Sequence, residues 1–280
     1  LRTMNFTSQF LGIEGGWQLL NTNAGVWDPA GRRALMLGQG LVAYDEASNA
    51  WSTDARPCPD CLEGADHLTI NPTTGELFRR TFSGNTVLRL GEDDTDWAPL
   101  PEIPTDHRDC CYGLEYFTAR DELVYADLDG VFLYSFQDGT WSQPWGELGF
   151  ANRTFVEHSA VHELVLILGG TDAPAYVLDR EANLIEMQPP PVEANYGETV
   201  VTPDLVTGNF IVLSGSNTMY IYDPIADTWE TVEGDVPPLQ ASQLQAAVEV
   251  VATPVSTACV TMFASHDYDA SSVWLYRHGE

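Results

Sequence analysis

Apolar residues in this chain fall in short runs, typified by Leu164-Val-Leu-Ile-Leu168 and Phe210-Ile-Val-Leu213, and Gly, Pro, Asn and Asp break them up. No long stretch places apolar residues at i, i+3, i+4 and i+7, so the helical period is missing and the pattern predicts β-strands joined by tight turns. The expected fold class is therefore all-β.

Aligning the tryptophans exposes a repeat. Leu35–Tyr44 leads through an acidic turn to Trp51, Leu77–Leu90 to Trp97, Leu123–Tyr134 to Trp141, and Phe210–Pro224 to Trp229. Leu164–Asp179 leads to Ile185, taken as the residue in the tryptophan slot. The spacings from Trp51 are then 46, 44, 44 and 44 residues, a period that fits one four-stranded blade per repeat. A sixth repeat begins near Ala246 and stops before its fourth strand. Gly15-Gly-Trp17-Gln-Leu-Leu20 has the form of the missing strand. Pairing it with the last blade removes two open sheet edges. The expectation is a single domain, 1–280, forming a six-bladed β-propeller. Its closing strand lies at about 15–21, and its repeats at about 25–56, 66–102, 110–146, 152–190, 196–236 and 245–280.

Ile211-Val-Leu-Ser-Gly-Ser-Asn-Thr-Met-Tyr220-Ile-Tyr-Asp-Pro-Ile-Ala-Asp-Thr-Trp229 carries its turn glycine, Tyr and Trp at the spacing of a Kelch repeat, and Leu168-Gly169-Gly170 keeps the double glycine after a second strand. In these segments the chain resembles the Kelch-like propellers. The resemblance implies the fold and leaves function open between a binding scaffold and an enzyme, since such propellers host both, sugar-acid epimerases among them.

Charge narrows the choice. The chain has 41 acidic residues against 12 basic ones, all Arg, for a formal net charge of -29. Such a field repels phosphate backbones and anionic lipid, so nucleic-acid binding is not expected. It suits a hydrated surface, or a cationic partner such as Ca²⁺ or a basic protein. No apolar run approaches the roughly 18 residues that cross a bilayer, so no membrane insertion is expected. The chain opens on Leu1 without a basic-then-apolar leader, and the expectation is that its natural start has been lost.

Cys58, Cys61, Cys110 and Cys111 lie in predicted loops and are disulfide candidates, whereas Cys259 reads as a buried thiol in a strand. Asn5 and Asn152 match glycosylation acceptors; Asn71 is disqualified by Pro72. Together these features favour a secreted or cell-surface protein.

In a propeller, the links between blades and the second-to-third-strand turns share one face, around the channel mouth. That rule assigns His67, His107, Arg108, Arg153, Tyr196 and Asp267 to a ligand-binding face, with Glu157 and His158 in the same link as Arg153. Thr105-Asp-His-Arg-Asp-Cys-Cys-Tyr112 is the densest chemical segment. In an enzyme, His107 would be the base, Arg108 the carboxylate clamp and Tyr112 the proton donor, with His158 and Tyr196 alongside. An inter-blade loop held by ion pairs and a disulfide accounts for the same residues without catalysis. Asp127 and Asp129 alternate in a turn as Ca²⁺ ligands do, but no Glu completes an EF-hand, and Asp and Gly are what tight turns favour anyway. No resident metal or cofactor is expected. The leading expectation is a non-enzymatic binding or structural module for a glycan or protein partner, self-association included. The alternative is a carbohydrate-active lyase, hydrolase or epimerase.

Overall fold

The computed structural model describes residues 2–4, 25–37, 41–45, 50–53, 67–80, 84–107, 113–150, 154–169, 173–192, 199–214, 218–232, 249–256, 260–267 and 270–277. Within them there is no helix, and the strands form six four-stranded antiparallel sheets. Five follow the chain directly. The first holds β2 (Gly25–Asp28), β3 (Arg33–Leu37), β4 (Leu41–Asp45) and β5 (Ala50–Thr53), numbered after a short leading β1 (Arg2–Met4). The next holds β6 (His67–Ile70), β7 (Leu77–Arg80), β8 (Val87–Leu90) and β9 (Ala98–Pro99). A third comprises β10 (Leu114–Phe117), β11 (Glu122–Asp127), β12 (Gly130–Ser135) and β13 (Thr140–Trp145). Then come β14 (Phe155–Ser159), β15 (Leu164–Leu168), β16 (Ala175–Asp179) and β17 (Leu184–Met187), followed by β18 (Thr199–Pro203), β19 (Phe210–Ser214), β20 (Thr218–Asp223) and β21 (Thr228–Thr231).

The last sheet joins the two ends of the chain. β22 (Glu249–Ser256), β23 (Val260–Asp267) and β24 (Ala270–Arg277) pair in order, and β1 lies along the far edge of β24 with Arg2 opposite Leu275. The expected closing strand around Trp17 therefore does not hold this place. β24 has only two edges, β23 takes one, and Arg2–Met4 takes the other; residues 15–21 lie outside the described residues.

Central sheets are buried on both faces by their neighbours. Leu164, Leu166 and Leu168 of β15 pack towards Phe210 and Val212, whereas Val165 and Ile167 between them pack towards Val124, Ala126 and Leu133. Strand period 2 thus sends alternate residues into two different cores, and both must be apolar. The first strands lie innermost: β2 touches β6, β6 touches β10, β10 touches β14, β14 touches β18, β18 touches β22, and β22 touches β2.

Fourth strands are exposed on one side, and their tryptophans tie a sheet to the one before it. Trp141 rests on Tyr134 and donates Nε1–H to the Pro101 carbonyl at 2.8 Å; Trp229 stacks on Tyr222 and donates to the Gln188 carbonyl at 3.3 Å. Tyr134 pairs with Trp141 and Tyr222 with Trp229, but the matching position of β16, Leu178, pairs with Leu184. The tryptophan slot in that sheet therefore belongs to Leu184, not to Ile185. The turn after Asp179 is one residue shorter, so Leu184 turns onto the core and Ile185 is left 48% exposed.

First-to-second-strand turns repeat one device. Asp28, Asn71, Ser159 and Asp204 each accept a backbone N–H two or three residues on, and four residues after each cap stands a left-handed residue: Arg32, Gly75, Glu163 and Gly208. Phe117 holds the cap position of the remaining turn, with Asp121 left-handed.

Gly130, in the two-residue hairpin between β11 and β12, has φ +132°, and a Cβ there would run into the carbonyl oxygens of Trp145 and Gly146. Gly149 has φ +76° with open space around it. Gly149→Ala is expected to cost about 1–2 kcal/mol of unfolding free energy, and Gly130→Ala about 3 kcal/mol or more. Equal costs in urea titrations would refute the close approach at Gly130.

Candidate functional site

Where the first strands converge they enclose a cavity of about 290 Å³. The residues directly following the cap positions Asp28, Asn71, Phe117, Ser159 and Asp204 line it: Pro29, Pro72, Thr118, Ala160 and Leu205. Pro29, Thr118 and Ala160 are exposed, so the cavity opens on the face of the first-to-second-strand turns. That is the face opposite the expected mouth. Its walls are largely apolar, with Val26, Leu68, Ile70 and Leu114 among them, and Trp27 and Tyr116 supply aromatic surface.

Three ionisable side chains line it besides Tyr116: Glu115 from β10, and Glu157 and His158 from β14. Glu115 is hydrogen-bonded to the Thr69 hydroxyl, which also accepts the Tyr116 N–H at 3.0 Å. Burial pushes the Glu115 carboxyl up to about 8 against those two hydrogen bonds. Burial, and then repulsion from Glu115, pushes Glu157 well above the ordinary carboxylate range. Two carboxyl groups sharing one desolvated site do not both ionise readily, so at neutral pH the pair retains a proton. Burial holds His158 down to about 4, leaving a neutral imidazole. Its ring packs 5.4 Å from that of Phe117, and its Nε2 is buried without a hydrogen-bond partner. Tyr116 is committed elsewhere: its hydroxyl accepts from Asn71 Nδ2 at 2.8 Å and donates to Asp121.

The expected site residues fare differently. His158 lies inside β14, not in an inter-sheet link, and Glu157 beside it shares that placement. His67 begins β6, where burial and then the charge of Arg80 push it down to about 3; it does not line the cavity. Asp267 ends β23 opposite Ala270. Arg108, Tyr112, Arg153 and Tyr196 lie outside the described residues, as do Cys58, Cys61, Cys110, Cys111, Cys259, Asn5 and Asn152. Glu115 was missed by the sequence reading. Its signal was present: counting two residues back from each turn cap gives Val26, Thr69, Glu115, Glu157 and Thr202, so adjacent repeats carry Glu at one position.

His107 lies on the opposite face, with Nε2 3.1 Å from Asp129 Oδ1. There Asp127 Oδ2 and Asp129 Oδ2 stand 2.6 and 2.8 Å from one hydroxyl, that of Thr105. A hydroxyl has a single proton to donate, so the two carboxyls compete for one donor there. Burial raises Asp127. Partial burial opposes charge on Asp129, yet the Thr105 hydroxyl, the Asp106 N–H and His107 together hold it below its ordinary value. An open acidic depression of about 700 Å³ beside them is lined by Glu102, Asp106, Asp129 and Glu147. Among the described residues no group of three or more His, Cys, Asp or Glu side chains is placed to hold a metal ion.

No protein-family model matches the sequence, and no curated protein matches it. Solved structures do match over most of the chain, at identities that speak for fold alone. A streptogramin B lyase is 11% identical with a TM-score of 0.61, covering 100% of this chain and 88% of its own. A catalytically inactive histidine-to-alanine variant of virginiamycin B lyase from Staphylococcus aureus, with quinupristin, is 11% identical at a TM-score of 0.58, covering 99% and 87%. A chain of the nidogen/laminin complex is 10% identical at 0.58, covering 75% and 79%. The fold is thus propeller-like, shared with an enzyme and with a protein of a protein–protein complex.

Because both glutamates are raised in the folded state, the stability they contribute is fully present below their ordinary value of 4.5 and is lost as pH rises through their folded values, about 8 for Glu115. Thermal scans should show Tm falling between pH 5 and pH 8. Glu157→Gln should shrink that fall and raise Tm at pH 8 by roughly 2–4 °C. A Tm difference between variant and parent that does not change with pH would mean the pair does not share a proton.

Proposed function

We propose that the chain is a binding propeller whose ligand sits in the central cavity. The observation that carries this reading is the convergence of Glu115, Glu157 and His158 on an apolar cavity with an exposed rim. In this reading the six sheets are the blades of one closed ring of the Kelch-like kind, spanning 1–280 and closed by β1. The circuit of contacts from β2 through β22 back to β2 supports it, as does Gly169, the first of the double glycine, where a Cβ would meet Phe150 and Ala173. The protein is secreted or held at the cell surface, with its loop cysteines in disulfides, Asn5 and Asn152 as glycosylation sites, and a glycan or protein as its partner. Acidity, the paired loop cysteines and the likeness to a chain of the nidogen/laminin complex support this.

A second reading, a carbohydrate-active or other acid–base enzyme, has one specific observation in its favour. A carboxyl pair retaining a proton and a neutral imidazole in one cavity are the parts of a general acid and a general base. Binding is favoured over it because Tyr116 has its hydroxyl occupied and no arginine lines the cavity to steady a developing anion.

Ala160→Phe places a ring in the exposed rim without touching a core. Calorimetric titration with mono- and oligosaccharides and with small amines, alcohols and acids should find at least one ligand bound by the parent, and this variant should lose it at least tenfold while keeping its Tm. A ligand retained undiminished by Ala160→Phe would place binding elsewhere; a product appearing in the titrated mixtures would select the enzyme reading.

A further inference from the structure

We infer that the cavity takes a small organic cation, a protonated amine on an apolar body, with its ammonium between Glu115 and Glu157 and its body against Trp27 and Tyr116. The inference rests on the reading of the cavity as a ligand seat and adds the ligand's chemistry.

Charge complementarity carries it. Apart from Tyr116, whose hydroxyl is committed, the ionisable groups lining the cavity are two carboxyls and an imidazole whose buried Nε2 has no hydrogen-bond partner, and no basic side chain other than His158 is among the lining residues. A buried carboxylate is stable only when paired or hydrogen-bonded, and Glu115 has the Thr69 hydroxyl and the Tyr116 N–H for that purpose. Glu157 is set against Glu115, which worsens its position. An ammonium group brings donors and a positive charge to both, and neutral His158 Nε2 can accept one of those donors.

An anion finds no donor of charge here, and an uncharged sugar leaves the carboxyl pair uncompensated. A hard divalent ion is a poorer occupant than an amine, because it requires six to eight oxygen ligands, and the apolar walls do not supply them. The volume, about 290 Å³, stands at the small end of ligand pockets, which run from about 300 Å³ upward. The overall field favours the same class: a chain of net charge -29 draws cations towards its openings.

The test is calorimetric titration of the full chain at neutral pH with three matched sets of probes. Phenethylamine, cyclohexylmethylamine and N-methylbenzylamine form the first; their alcohol counterparts and their carboxylate counterparts form the others, and CaCl₂ serves as an inorganic control. At least one amine should bind at least tenfold more tightly than its alcohol, with no binding of the carboxylate. Glu157→Gln and, independently, Glu115→Gln should weaken the amine at least tenfold and leave the alcohol within about twofold, a split that general loss of structure would not produce. Ala160→Phe should abolish amine binding. Amine binding that survives both the Gln variants and Ala160→Phe would be attraction to the acidic surface and would overturn the inference. Alcohols or neutral sugars that bind as well as amines, and are lost in Ala160→Phe, would overturn the amine while keeping the ligand seat. If no probe or sugar shows binding sensitive to Ala160→Phe, the ligand seat itself fails and the inference with it.

Discussion

A strand such as β15, apolar at every position, holds its place only with another sheet against each of its faces. Two-sided burial is the constraint from which the remaining features of this molecule descend. One sheet packed on one neighbour would leave Val165 and Ile167, or else Leu164, Leu166 and Leu168, facing water, at about 25 cal/mol per Å² of apolar surface. A succession of sheets solves this for every member except the two at its ends, which need a further partner. The contact of β22 with β2, and the pairing of β1 with β24, occur where that logic requires them. Tryptophans on fourth strands add a directional hold, since an indole N–H donated to a carbonyl of the preceding sheet fixes the relative position of two sheets in a way apolar packing does not.

Convergence of the first strands has a second consequence. Packing sheets face to face fills the space between them, but where the first strands converge a cavity remains. Its lining comes from residues at matching positions of successive repeats, so a polar substitution in one repeat meets its counterpart in the next. Glu115 and Glu157 meet in this way. Neither is needed by the sheet that carries it: the matching residues elsewhere are Val26, Thr69 and Thr202, and Thr69 and Thr202 are buried.

This explains which parts could be read from sequence. The repeat period was legible because two-sided burial favours apolar runs in second strands, as in β11, β15 and β19, and a Trp or its substitute in or beside the fourth. Misplacing the slot at Ile185 came from counting residues across a turn whose length changes; only the register of β16 on β17 shows that Leu184 holds it. The closing strand was sought at Trp17 because that segment has the shape of a fourth strand, whereas the pairing of Arg2–Met4 with β24 leaves almost no mark in three residues of sequence. His107 drew attention through the density of chemistry around it, yet its Nε2 meets Asp129 on the far face from the cavity. Glu115, in an ordinary alternating strand, drew none. Density along the chain is a poor guide in a repeat protein, because a site assembled across repeats takes only one or two residues from each. Comparing the same position in successive repeats is the better search, and it finds the glutamate pair.

The two acidic pairs show why one of them is suited to a ligand. Each brings two carboxyl groups together: Asp127 and Asp129 on one hydroxyl, Glu115 and Glu157 in one cavity. At Asp127 and Asp129 the remaining demand is met internally: Thr105 links them, backbone N–H groups of Asp129 and Asp106 donate to them, and His107 lies against the outer one. That arrangement closes a hairpin and leaves little for a ligand to gain. Glu115 has two hydrogen bonds for its charge, but what acts on Glu157 is burial and the neighbouring carboxyl, and the space beside the pair is a cavity, not a loop. The free energy that the first pair recovers within the fold is left for the second to recover from outside it. In the binding function proposed above, specificity follows from an electrostatic demand that packing around the cavity does not meet, and the sign of that demand selects the sign of the ligand.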